Sequence, residues 1–452
     1  MHSKPRRSKR NTNSATNCGR LAVLVCGWLC LPAFCVAADP PAAVPIPFRN
    51  AVELALQHSG VMGIAAMNQW RAYQAYREVR ANWIPQLTVG SGLGYSYGFP
   101  LTLEGSAPSV VNFNSSQTFF NLPLRQYLKA AKIQWKATSL DVQDKRDGVI
   151  LDVALSYAQL DQLSAKIAAL TAAQTAAEKG EFISQQRLQE GIDSKLDLTK
   201  SQLLTARIRL RIAEAEGQAD VLRQHLASLL AVQPDAVATD PQSMPAIPTI
   251  SQEEDLPALA VTNSLAVKQA HEQAAAAQAR ANGEHKATKL PTIDLASQYA
   301  YLAKYNNYDS YFLNYTPNNL AAGLNIKFPF FNSVQRAKAE EAKADAIIAG
   351  KQEELTKEKV REDALQLQRS LRQLSAARDV AKLEWEVAQG DEEAVKARMQ
   401  TGEANIRDQQ NAELDSNDKQ AAYLDAEFEL SRAQLQLLRL TGGLESWAMP
   451  GQ

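Results

Sequence analysis

The chain carries one set of punctuation marks twice, and this repetition limits its possible folds more than its composition does. Asn82-Trp83-Ile84-Pro85-Gln86-Leu87 lies over Thr288-Lys289-Leu290-Pro291-Thr292-Ile293, and Leu122-Pro123-Leu124 lies over Phe328-Pro329-Phe330. Farther on, Arg187-Leu188-Gln189-Glu190-Gly191 matches Arg398-Met399-Gln400-Thr401-Gly402. Each half reads helix, proline, strand pair, proline, long helix, glycine, helix. The expected organisation is a first repeat over 39–232, a proline-rich linker over 233–250, a second repeat over 251–441 and a C-terminal tail over 442–452.

After Pro85 the apolar residues recur every second position: Leu87, Val89, Leu93, Tyr95, Tyr97 and Phe99 share one face, and Thr88, Gly90, Gly92, Gly94, Ser96 and Gly98 the other. After Pro291, Ile293, Leu295, Tyr299 and Tyr301 alternate with Thr292, Asp294 and Gln298. The returning strand of the second pair sets Leu320, Ala322, Leu324, Ile326 and Phe328 against Asn319, Asn325 and Lys327. The returning strand of the first pair, over 111–122, has no face that its residues alone assign. An aspartate on the polar face suits a wet lumen, and tyrosines toward the tips suit a membrane interface. The strand pairs, about 86–122 and 291–329, are therefore read as transmembrane; a soluble β-sandwich with one solvated side is the competing reading.

The rest is helical and long. No proline interrupts 125–190, which at ~1.5 Å per residue reaches ~100 Å. Ile150, Val153, Tyr157, Leu160, Leu163, Ile167 and Leu170 recur there at three- and four-residue steps, and 332–400 is the equivalent stretch. Leu196, Leu203 and Leu210 mark heptads. Helices over 48–81 and 194–231 are about half as long, so two of them end to end match one long helix. Four strands cannot close a barrel and open edges are forbidden in lipid. Copies of the chain must associate, and the residues alone allow two or three.

The first 38 residues read as a signal peptide: Arg6, Arg7, Lys9, Arg10 and Arg20 precede an apolar run to Phe34, and Val36-Ala37-Ala38 ends it. A retained anchor helix fits less well, because the run is short and holds Pro32. Cys35 follows Phe34 rather than the small residue of a lipidation site. All four cysteines lie in this leader, so the mature chain is expected to hold no disulfide or cysteine metal site. Removing the leader's basic residues leaves an acidic chain, a poor partner for nucleic acid. His58, His225, His271 and His285 are scattered, and no catalytic or nucleotide-binding motif appears; neither enzyme activity, metal nor cofactor is expected.

With Phe48-Arg49-Asn50-Ala51-Val52-Glu53-Leu54-Ala55-Leu56 opening the mature core, the duplicated Pro–strand–strand–Pro unit and the glycine-containing turns resemble the TolC-like outer-membrane factor (outer membrane efflux protein) family from about 48 to 440. The resemblance implies a mainly α fold with transmembrane β. Three chains would form a twelve-stranded barrel, four strands each, in the outer membrane lipids, continued by a long α-helical coiled-coil barrel through the periplasm. It further implies an exit duct for small-molecule efflux, working with a periplasmic adaptor (membrane fusion) protein and driven by an inner-membrane pump. The exit duct of a type I protein secretion system, or a structural periplasmic coiled coil, are the alternatives.

By the same resemblance, the turns farthest from the membrane dock the adaptor: Gly191, Ile192 and Ser194 in the first, Gly402, Glu403 and Asn405 in the second. Each glycine reverses the chain where positive φ is needed. Asp197 and Asp408 stand where the family narrows its entrance with carboxylates; they stand equally where an N-terminal helix aspartate favours the macrodipole. The chain departs from the family's entrance clamp, carrying Met399, Ala404 and Asn411 where the clamp has tyrosine, arginine and a second aspartate. Arg398 and Arg407 are the substitutes in reach.

Overall fold

The computed structural model describes residues 45–91, 109–248, 255–302 and 316–450, and the compact unit they belong to is Ala43–Gln452. The expected leader and the outer part of the first strand pair, with Tyr95, Tyr97 and Phe99, lie outside the described residues. The elements run α1 (Phe48–His58), α2 (Gly60–Ala81), β1 (Gln86–Gly90), β2 (Ser109–Phe120), α3 (Leu122–Gln189) and α4 (Lys195–Leu230). After two 3-10 turns come α5 (Leu256–Asn263), α6 (Leu265–Ala287), β3 (Thr292–Leu302), β4 (Asn318–Lys327), α7 (Ser333–Gln400), α8 (Ile406–Leu440) and α9 (Leu444–Ala448).

Helices α3 and α7 have 68 residues each. Each starts from an asparagine cap, α3 one residue after β2 and α7 five residues after β4. Asn121 Oδ1 accepts the Leu124 amide at 2.8 Å, and Asn332 Oδ1 accepts the Gln335 amide at 2.9 Å. Pro123 sits inside the first turn of α3, where its missing N–H costs nothing. The single helix expected over 48–81 is instead broken at Ser59, whose ψ of 125° leaves the helical region. The same break recurs at Ser264, whose hydroxyl accepts the Val267 amide and starts α6. At Ser264 the serine side chain competes for a backbone hydrogen bond and so starts the new helix, whereas Ser59 makes no such side-chain bond.

The four strands form one antiparallel sheet in the order β1-β2-β3-β4. Its register settles the face that the sequence left open. Val89 pairs with Phe113, Phe113 with Tyr299 and Tyr299 with Leu320, an apolar row across all four strands. Thr88, Asn114, Gln298 and Ala321 form the next row on the opposite face. On that polar face Asp294 accepts the Thr118 hydroxyl at 3.2 Å and faces Lys327 at 3.7 Å.

Below the sheet the helices keep its lateral order: α2 beside α3, α3 beside α6, and α6 beside α7. Tyr73 and Tyr76 of α2 pack on Trp135 of α3. The largest apolar cluster lies midway along α3, where Val149, Ile150, Val153 and Tyr157 meet Phe48 and Val52 of α1, Leu435 of α8, and Leu444 and Trp447 of the tail. The Tyr157 hydroxyl is its polar hub. It accepts the Asp240 amide at 2.6 Å and lies 2.9 Å from the Ile46 carbonyl and 3.0 Å from Ser243 Oγ. The expected tail thus contains a buried helical turn, with the Trp447 indole donating to the Ala246 carbonyl.

Candidate functional site: the paired helical turns

Two helical hairpins extend away from that central core, α3–α4 and α7–α8. Each is held internally by apolar contacts. Leu160 and Leu163 meet Ala215, Ala219 and Leu226 in the first, and Leu371 meets Leu430, Ala433 and Leu437 in the second. Trp385 and Tyr423 stack at 5.6 Å farther along the second.

The turns that end the hairpins have the same geometry. Gly191 has φ +74° and Gly402 φ +82°. The amides of Ile192 and Asp193 both donate to the Arg187 carbonyl, and those of Glu403 and Ala404 to the Arg398 carbonyl. Only a residue free to adopt positive φ closes such a turn cheaply. The following helices open with reciprocal capping boxes. Ser194 Oγ accepts the Asp197 amide while Asp197 accepts the Ser194 amide, and Asn405 and Asp408 repeat the exchange. Both aspartates therefore occupy the third helical position, where the N-terminal partial charge favours a carboxylate. Gly191, Ile192, Ser194, Gly402, Glu403 and Asn405 are all exposed.

The hairpins meet each other through polar groups. Asp197 also pairs with Arg407 of α8. One turn on, Ser184, Ser201 and Gln410 form a buried polar layer: Ser184 Oγ lies 3.2 Å from Ser201 Oγ, which donates to Gln410 Oε1 at 3.5 Å. The Gln410 amide lies where a side chain at Gly180 would stand, and its Nε2 is buried without a partner among the described residues. Farther up, Arg211 pairs with Asp418, and Gln162 donates to Asp425 at 2.7 Å. Of the two arginines expected near the entrance, Arg407 makes the cross-hairpin pair, whereas Arg398 serves the turn through its backbone carbonyl. The Gln410 layer is absent from the residues singled out in the sequence; Gly180, a glycine inside a long helix, was the signal that something packs closely there.

Residues 51–232, which hold the first hairpin and the first strand pair, match the outer membrane efflux protein family. The fold of outer-membrane channels also extends through the rest of the chain. The outer-membrane channel OprN has a TM-score of 0.72 at 18% identity, over 89% of this chain and 91% of its own. CusC, described in connection with transmembrane channel formation, gives 0.73 at 17% identity, over 90% and 98%. VceC, an outer membrane protein of Vibrio cholerae, gives 0.73 at 19% identity, over 88% and 96%. Among curated proteins, no sequence matches this chain.

Proposed function

We propose that the protein is an outer-membrane exit duct that passes small molecules from the periplasm to the exterior, as part of a tripartite system energised by an inner-membrane pump. One observation carries the reading: a two-faced sheet with open edges sits on a layer of long helices with the same open edges. β1 and β4 lack an outer partner among the described residues, and α2 and α7 stand at the same two edges. Ile64, Met67 and Trp70 are exposed on α2, and Ile347, Ile348 and Leu355 on α7. Unpaired strand edges are untenable in lipid. A contact of one edge with the opposite edge of the next copy is heterologous and repeats until a ring closes. Three copies would supply twelve strands, with the apolar face toward lipid and the polar face lining the pore.

The paired turns would form the periplasmic entrance and the surface that receives the adaptor, with Gly191, Ile192, Ser194, Gly402, Glu403 and Asn405 on that surface. Asp197 and Asp408 would lend the entrance its negative charge. The absent family clamp would be replaced by the Arg407–Asp197 pair, which ties the second hairpin to the first. A protein-secreting duct shares this architecture, and co-expression with a peptide-exporting ATPase rather than an efflux pump would favour it.

Reconstitution into planar bilayers tests the reading. Cation-selective conductance steps are expected from the full-length protein, with reduced selectivity in Asp408→Ala. Recovery of the protein from the soluble periplasm, with no conductance in bilayers, would overturn the duct.

A further inference from the structure

Both strand-to-helix junctions carry the same pair of side chains. Arg125 and Arg336 each stand four residues after the asparagine that caps their long helix. Arg125 lies over the Trp83 ring at 6.0 Å, and Arg336 over the Phe331 ring at 5.7 Å. Stacking of this kind engages the face of a guanidinium and leaves its N–H edge free to donate. Neither arginine makes an ion pair among the described residues. Their place also runs against the helix dipole. N-terminal turns favour carboxylates, as at Asp197 and Asp408, yet the first turns of α3 and α7 hold no acid.

The positive charge extends around the junctions. Over 72–85, 121–131, 278–291 and 328–342, where the chain enters and leaves the helical side of the sheet, nine basic residues stand against four acidic ones, in a chain with 48 and 49 overall. Arg80, Lys129, Lys286, Lys289 and Lys338 make no ion pair among the described residues. Two of the four acids are engaged: Gln335 donates to Glu284 at 2.6 Å, and Lys343 holds Glu340 at 3.5 Å. Apolar side chains share this level, with Ile84, Phe328, Phe330 and Phe331 exposed on the chain. Phe328 continues the apolar face of β4 past Ile326. Gln117, in the apolar-face row with Leu295 and Leu324, donates to the Trp83 carbonyl at 3.4 Å. The foot of the apolar face is thus an aromatic ledge with unpaired cations beside it.

Aromatic rings suit the boundary of a bilayer. Unpaired lysine and arginine at that depth attract the phosphate of anionic lipids more than neutral headgroups. We propose that the two junctions bind anionic phospholipid headgroups in the leaflet nearer the helices. Arg125 and Arg336 donate to the phosphate, and Trp83, Phe328 and Phe331 seat the upper acyl chain. This rests on the transmembrane reading of the sheet and adds to it a lipid preference, which fixes the depth at which the chain sits.

Native mass spectrometry tests this on the full-length protein, released from detergent micelles loaded equally with dioleoyl phosphatidylglycerol and dioleoyl phosphatidylcholine. Phosphatidylglycerol is expected to be retained over phosphatidylcholine by about fivefold, the attraction of one basic side chain near a charged surface. The double variant Arg125→Gln/Arg336→Gln is expected to retain the two lipids equally. Lys200→Gln/Arg207→Gln removes the same charge from exposed positions of α4 and should keep the parental ratio. Equal retention by the parent, or a parental ratio in Arg125→Gln/Arg336→Gln, would overturn the proposal. So would a changed oligomeric mass in that variant with the lipid ratio intact, which would assign the junctions to contact between copies. Conductance of the same preparation in planar bilayers reads the duct separately. A conducting parent with no lipid preference removes the headgroup surface alone, whereas a protein that neither conducts nor retains lipid removes both.

Discussion

Arg407, in the first turn of the second hairpin's short helix, is paired with Asp197, in the first turn of the first hairpin's short helix. The pair joins two helix starts whose carboxylates are already engaged by their own caps, so Asp197 is held from two sides. In the proposed duct this contact bears on whether the entrance is narrow or wide. Arg407→Ala removes it while leaving both capping boxes in place. Both partners are partly exposed, so the pair contributes on the order of 0–1 kcal/mol, a change of up to about fivefold in the balance between narrow and wide states. Single-channel recordings should show longer high-conductance dwells in Arg407→Ala. The reversed pair, Arg407→Asp with Asp197→Arg, should restore the parental pattern in part; identical dwell times in all three proteins would remove Arg407 from the gate.

Two glycines in helix interiors should respond oppositely to alanine. Gly217 in α4 has nothing within 4 Å of an added Cβ, so Gly217→Ala is expected to stabilise by roughly 0.5–1 kcal/mol through helix propensity. At Gly283 in α6 an added Cβ would lie 2.6 Å from the Tyr127 ring and 3.3 Å from Gln126 Cβ. Overpacking there costs about 1–3 kcal/mol, which cancels or exceeds the same propensity gain. Thermal melts of the two variants should bracket the parent; a Gly283→Ala protein as stable as Gly217→Ala would contradict the close α3–α6 contact.

Stability should fall as pH rises past Asp147. Its folded carboxyl titrates at about 6 against an ordinary 3.8, mainly through burial. The folded state thus prefers the protonated form. The stabilising contribution is full below the unfolded value and is lost as pH rises through the folded one. A tenfold change in proton affinity is worth about 1.4 kcal/mol, so about 2 kcal/mol separates pH 4 from pH 7 at this residue. Asp147→Asn should flatten that slope and melt higher than the parent at pH 7.5. A parallel slope in the variant would assign the pH dependence elsewhere.

Tyr157→Phe tests the central hub. It keeps the ring, which sits 5.6 Å from Phe48, and removes the hydroxyl that receives the Asp240 amide. That amide is left without its partner, at a cost of about 1–3 kcal/mol. A lower melting temperature with unchanged helix content by circular dichroism is expected.

The strand pairs and long helices were legible because each has a strong period. The alternation of Leu320, Leu324 and Ile326 against Asn319 and Asn325 survives pairing unchanged. The return strand β2 resisted because Val110-Val111 and Phe119-Phe120 break parity, and register shifts fall at Ser109/Val111 and Thr118/Phe120. Glycine turns announce themselves locally, so Gly191 and Gly402 were readable. The Arg407–Asp197 pair and the Gln410 layer join residues about two hundred positions apart, and no local pattern encodes that. Asp147 stands in a charged stretch of α3, and its burial beside Arg439 of α8 and Glu445 of α9 has no local sequence signal.

The clasp around Tyr157 has a consequence for manufacture. Phe48 sits 5.4 Å from Trp447, so the middle of the molecule is sealed by residues from the beginning and the end of the described chain. Until the last helical turn has been synthesised and delivered, Val52, Ile150 and Leu435 lack their full cover. Without Leu444 and Trp447 that apolar cluster would lie open to solvent, and limited proteolysis would read the exposure.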